Sequence, residues 1–114
     1  MNIFIDIDDT ICRTPINGDY GQAEAIQDRV NKVNSLYDEG HVIVFWTARG
    51  SGTGIDWTDI TQQQLEAWGV KYHQLMFGKP VFDVFIDDKS INSDMFFGNF
   101  VTNEEQTEQP QGEE

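Results

Sequence analysis

Four short stretches of this chain carry side chains that could do chemistry together. They are Asp6-Ile7-Asp8-Asp9-Thr10, Thr47-Ala48-Arg49-Gly50, Gly78-Lys79-Pro80 and Asp87-Asp88-Lys89. Carboxylates gathered without compensation repel one another and are driven to protonate. A hard divalent cation such as Mg²⁺ resolves this, satisfied by a few carboxylate oxygens, waters and a phosphate oxygen. Lys79 and Thr47 would then offer a positive charge and a hydroxyl donor to the other phosphate oxygens. Phosphoryl transfer asks a protein mainly for in-line positioning and charge stabilisation. An aspartate can also act as nucleophile and carry the phosphoryl group covalently.

The elements around these stretches are arranged to bring them together. Residues 2–7, 41–46, 72–77 and 81–86 are short apolar runs, β-branched or aromatic and bounded by turn or charged residues, which predicts four buried strands. Residues 22–39 place Ala23, Ile26, Val30, Val33 and Tyr37 at helical spacing, with Gly40 as a stop. A shorter helix is expected over 59–68, opened by a capping-box-like Asp59 and Gln62 and closed by Gly69, and a last helical turn or two after Ser90. Strands alternating with helices imply an α/β fold: a Rossmann-like three-layer sandwich with a mostly parallel central sheet. Ligands in such folds collect outside the carboxyl ends of the strands. All four stretches stand at or just after those ends, so one rim should receive them all.

The ordered set Asp6-x-Asp8-x-Thr10, Thr47, Lys79 and Asp87-Asp88 resembles the four motifs of the haloacid dehalogenase superfamily and spans nearly the whole body of the chain. The resemblance implies Asp6 as nucleophile and magnesium ligand. It implies Asp8 as the acid/base, with its backbone carbonyl a second ligand. Thr47 and Lys79 match the phosphate-binding pair, Lys79 also steadying the nucleophile. Asp87 matches the acidic magnesium ligand of the fourth motif, with Asp88 a second contributor. Superfamily members that cleave carbon–halogen bonds lack the second aspartate, and the ion-pumping ATPases carry threonine there, so Asp8 points to a phosphatase.

The pattern ICRT…NGDY, WTARG and GKPVFDVFIDDK is also similar to small phosphatases associated with bacterial capsule and surface-sugar synthesis. Neither interval between the first three motifs has room for a cap domain. The site should be open, covered only by segment 11–20 and residues 50–57, and a neighbouring subunit in a homo-oligomer could cover it further. The likeness makes a sugar phosphate the first choice of substrate, with a nucleotide or the 3′-phosphate of a polynucleotide as the alternative. A phosphoacceptor signalling domain, the competing class, would carry its acidic pair on the first strand and its acceptor aspartate on a middle one, the reverse of the order here.

Other residues have plainer readings. Arg49 and the run Gly50-Ser51-Gly52-Thr53-Gly54 either grip substrate beside Thr47 or form a simple connector. The run lacks the lysine of a nucleotide P-loop and follows the second strand. Asp9 suits a turn, and Asp83 either orients Lys79 or bonds within its loop. His41 and His73 lie near strand starts, away from the rim. Trp46, Trp68, Phe96, Phe97 and Phe100 read as core, whereas Trp57 could stack on a substrate ring.

Composition limits the partners. The chain of 114 residues holds one domain, over 1–102, followed at 103–114 by an acidic tail expected to be disordered. The net charge is −13, and without the five tail glutamates 15 acidic against 7 basic residues still leave −8. That disfavours an extended nucleic-acid footprint and leaves a small phosphorylated substrate as the expected partner. No stretch approaches the roughly 20 apolar residues that span a bilayer. A single cysteine, Cys12, and no secretion signal suggest a cytoplasmic setting.

Overall fold

The computed structural model describes residues 1–98. The acidic tail at 103–114, the domain end at 102 and Phe100 lie outside the described residues.

A three-stranded parallel sheet has the order β1 (Asn2–Ile5), β4 (Val42–Trp46), β5 (Gln74–Met76). Between β1 and β4 come a two-residue ribbon, β2 (Cys12–Arg13) with β3 (Glu24–Ala25), and helix α1 (Gln27–Asp38). Helix α2 (Thr58–Ala67) connects β4 to β5, and the short α3 (Ser93–Phe97) closes the described chain. In β4, Ile43, Val44 and Phe45 are all buried, as expected of a strand flanked on both edges. Parallel register sets Ile3 beside Ile43 and Ile5 beside Phe45, so these side chains share one sheet face. Val30 and Val33 from α1, Leu65 from α2 and half-buried Phe97 from α3 join them in one core cluster. The opposite face of β1 carries Phe4, which is 57% exposed and meets the edge of Trp46.

Helix α1 begins five residues later than its apolar spacing suggests. Asp19 caps a 3-10 turn over Tyr20–Gln22, and Glu24 and Ala25 then pair with β2, so this stretch is spent on local bonds first. Helix α2 is capped differently from expectation: Asp56, not Asp59, accepts from the Thr58 amide, and Asp59 lies in the first turn. Gly40 and Gly69 do terminate the helices, both at positive φ. The expected core role fails for Phe96, which is exposed, while Trp46, Trp68 and Phe97 are half-buried. His73 replaces a piece of ladder: its ring accepts from the Ile43 amide, its own amide donates to the Ile43 carbonyl, and Tyr37 stacks on it.

The largest correction concerns residues 81–86, where the fourth strand was expected. This run pairs with no strand among the described residues, and Val81, Val84 and Ile86 are 72%, 72% and 93% exposed. Its aromatic rings pack on one another instead, Phe82 against Phe85, with the Lys79 ammonium 5.5 Å from the Phe82 ring. An apolar run shows that a segment could be buried, not that a ladder partner holds it. Among the described residues β1 has a strand partner on one edge only.

Candidate active site

Three strand ends meet as expected. The Thr47 amide donates to the Met76 carbonyl and the Lys79 amide to the Thr47 carbonyl, so the chain after β5 is strapped to the end of β4. Lys79 Nζ thereby reaches Asp6 Oδ1 at 3.7 Å across the rim. Thr10 donates to Asp6 Oδ2 from the turn that follows β1. That turn depends on Asp9, which sits at φ 58° and accepts from the Thr14 amide. Left-handed backbone is tolerated by aspartate better than by most residues. Asp9 is therefore a turn former, as its sequence context suggests.

Burial pushes the Asp6 carboxyl above its ordinary range, and the neighbouring Asp8 charge adds to this. Lys79, the Ile7 amide and the Thr10 hydroxyl pull it back without cancelling the shift. The carboxylate opens onto a cleft of about 560 Å³, which Lys79, Tyr20, Trp57 and Phe82 also line.

Asp8 has a different environment. Arg49 grips it with a two-pronged fork, Nε to Oδ2 at 3.0 Å and Nη2 to Oδ1 at 2.8 Å, and Thr14 Oγ1 donates to Oδ1 at 2.5 Å. The Arg49 side chain is fully buried. Its remaining nitrogen, Nη1, donates to Thr61 Oγ1 and Gln64 Oε1, one turn apart on α2, and its plane lies 4.8 Å from the Tyr20 ring centre. Gln64 in turn donates to the Tyr20 carbonyl. Arg49 is thus neither a substrate grip nor part of a loose connector. It ties Asp8 to α2 and to the segment over the cleft. Nothing in the spacing of Asp8, Arg49, Thr61 and Gln64 announces this network, beyond the i, i+3 pair on α2.

The glycine run is also built rather than loose. Ser51 Oγ donates to the Lys79 carbonyl and the Gly54 amide to the Gly50 carbonyl. Gly50 has φ +84°, and a Cβ there would collide with the Ile55 carbonyl oxygen. Thr47 is completely buried, with its Oγ1 accepting from the Arg49 amide. It stands behind the cleft rather than on its wall.

The fourth stretch does not join the others. Asp87 and Asp88 are exposed, Asp88 paired with adjacent Lys89 at 3.4 Å. Asp83 is exposed as well. Among the described residues no three acidic, histidine or cysteine side chains gather as a metal seat. With Asp8 committed to Arg49, Asp6 alone faces the cleft, and the donor set as placed does not fit a magnesium ion. Cys12 lies buried beside Asp8, its thiol pushed up to about 12 by burial, and so stays neutral. No helix among the described residues is long and apolar enough to cross a membrane.

No family model and no curated protein matches this chain. A crystal structure from Vibrio cholerae is similar to it with a TM-score of 0.75 and 24% identity, over 93% of each chain. That likeness establishes a shared α/β fold across nearly the whole length.

Arg49→Lys tests the clamp. An ammonium cannot reproduce the fork to Asp8 while also donating to Thr61 and Gln64. Urea denaturation should show a loss of about 3 kcal/mol, the scale for breaking a buried ion pair. Wild-type stability in Arg49→Lys would show that the network contributes little.

Proposed function

We propose that this protein is a phosphomonoester hydrolase that works through an aspartyl-phosphate on Asp6. The observation that carries the reading is the Asp6–Lys79 pair at the mouth of the cleft, beside the carboxyl ends of parallel strands. Asp6 attacks phosphorus as the bond to the leaving oxygen breaks, and that oxygen takes a proton from Asp8, which has gained it from solvent on turning away from Arg49. Water then attacks the phosphorus of the acyl phosphate and gives a proton to Asp8. Inorganic phosphate leaves, Asp6 is free again, and Asp8 returns its proton to solvent as Arg49 takes hold of it. Lys79 offsets the charge on the transferring group. Thr47 holds the turn that presents Arg49 and meets phosphate only if its hydroxyl is uncovered. Asp8 must turn away from Arg49 to reach a leaving oxygen, so substrate entry and release of the clamp are one event in this scheme. A single buried thiol suits the reducing cytoplasmic setting in which small metabolites are dephosphorylated.

Magnesium belongs to the proposal through the sequence pattern. A bound cation would supply positive charge to the phosphate and to Asp6. Phosphate release from a monoester should therefore stop in excess chelator and return with Mg²⁺. Full activity in chelator would remove the cation from the scheme.

Asp6→Asn tests the nucleophile through two opposite effects. Turnover should vanish, since an amide cannot form the acyl phosphate. Stability should change with pH because the Asp6 carboxyl is held above its ordinary value in the folded state. The folded chain then binds that proton more tightly than the unfolded one. The Asp6 contribution to wild-type stability is therefore most favourable below the unfolded carboxyl range and is lost as pH rises through the folded value. Without divalent cations, Asp6→Asn should melt higher than wild type at neutral pH and no higher at strongly acidic pH. Unchanged turnover, or a lower melting temperature at neutral pH, would contradict the assignment.

A further inference from the structure

Beyond the Asp6–Lys79 end, the cleft is walled by Tyr20, Ile55, Trp57, Val81 and Phe82, and its other polar side chains are few, chiefly Asn17 and Thr53. A leaving group made of a polyhydroxylated ring presents several donors and acceptors. Most would be desolvated against apolar walls without partners, and each unpaired group weakens binding. A flat apolar ring loses nothing of the kind there.

The Tyr20–Trp57 part of the wall is braced. Trp57 meets the Tyr20 ring edge-on at 5.0 Å and 87°, and Tyr20 is held in turn over the buried Arg49 guanidinium. Trp57 Cδ1 lies 3.4 Å from where a Gly50 Cβ would stand, so the glycine leaves room for the indole. Phe82 sits next to the charged end, its ring centre 5.5 Å from Lys79 Nζ. One cation near the mouth and aromatic surface behind it fit a ligand with one anionic group and one planar ring.

We propose that the phosphomonoester taken by this cleft carries a planar aromatic ring in its organic part, as a nucleoside monophosphate or an aryl phosphate does, with the ring against Trp57 and Phe82. This rests on the hydrolase reading for the fate of the phosphoryl group, but the ring preference is a binding property and is measured separately. The probes are a nucleoside 5′-monophosphate, phenyl phosphate and a hexose 6-phosphate. Each is titrated calorimetrically into Asp6→Asn protein, in which no turnover intervenes. Both aromatic monoesters should bind at least about tenfold more tightly than the hexose phosphate, the scale of one ring stacked on an aromatic side chain. Trp57→Leu and Phe82→Ala, added singly, should each reduce that preference. Phe82 is the more exposed of the two, so its variant keeps the test valid if Trp57→Leu unfolds. Equal or tighter binding of the hexose phosphate, or a preference untouched by both substitutions, would overturn the proposal. Wild-type phosphate release from the same three esters separates the two readings. No release from any of them, with the binding preference intact, removes the hydrolase and leaves the aromatic site. Fastest release from the hexose phosphate does the reverse.

Discussion

The Arg49–Asp8 pair is the interaction on which the rest of this rim depends. Two carboxylates stand two residues apart after β1, in a place where burial penalises charge. Arg49 removes one of them from the problem with a bidentate grip. The same guanidinium reaches Thr61 and Gln64 on α2 and lies over Tyr20, so one buried cation joins the β1 turn, the end of β4, α2 and the wall of the cleft. Burying such a cation is tolerated when its donors find partners, and Nε, Nη1 and Nη2 together make four hydrogen bonds here. Asp6 is left as the carboxylate that lines the cleft. Two chemically identical side chains thus acquire different roles from their partners alone.

That division has a cost that the fold retains. Asp6 remains under-compensated, since the ammonium at 3.7 Å does not cancel its desolvation. A residue selected for stability at this position would be neutral. The positive φ of Asp9 and the crowded Gly50 belong to the same pattern, with local conformations that favour the rim's shape over backbone comfort. Stability comes from the other side of the chain: the cluster of Ile5, Ile43, Phe45, Val30, Val33 and Leu65 beneath the sheet.

Much of this was legible in the sequence, for definite reasons. Period and punctuation located β1, β4, β5 and both main helices, because Gly40 and Gly69 are stops that only positive φ explains well. Parallel connection then required Asp6, Thr47 and Lys79 to share one rim, and Lys79 does reach Asp6. Residues 81–86 misled because their composition suits a buried strand equally well whether or not a neighbour is there to pair with it. Asp87 and Asp88 were carried to the rim by that strand and are exposed without it. The Arg49 clamp was invisible because it joins four residues scattered from 8 to 64, and charge pairing over such separations leaves no periodic trace.

The account's central claim is that Asp6 and Asp8 are not interchangeable, one forming a bond to phosphorus and the other moving protons. The most direct test is a rapid quench of Asp8→Asn with an activated aryl phosphate, whose leaving group departs without protonation, followed by mass spectrometry of the peptide containing both residues. A phosphoryl group on Asp6, accumulating because hydrolysis has lost its base, is the result this account predicts. Phosphate on neither aspartate, while wild-type protein turns over the same ester, would contradict it and point to direct attack by water.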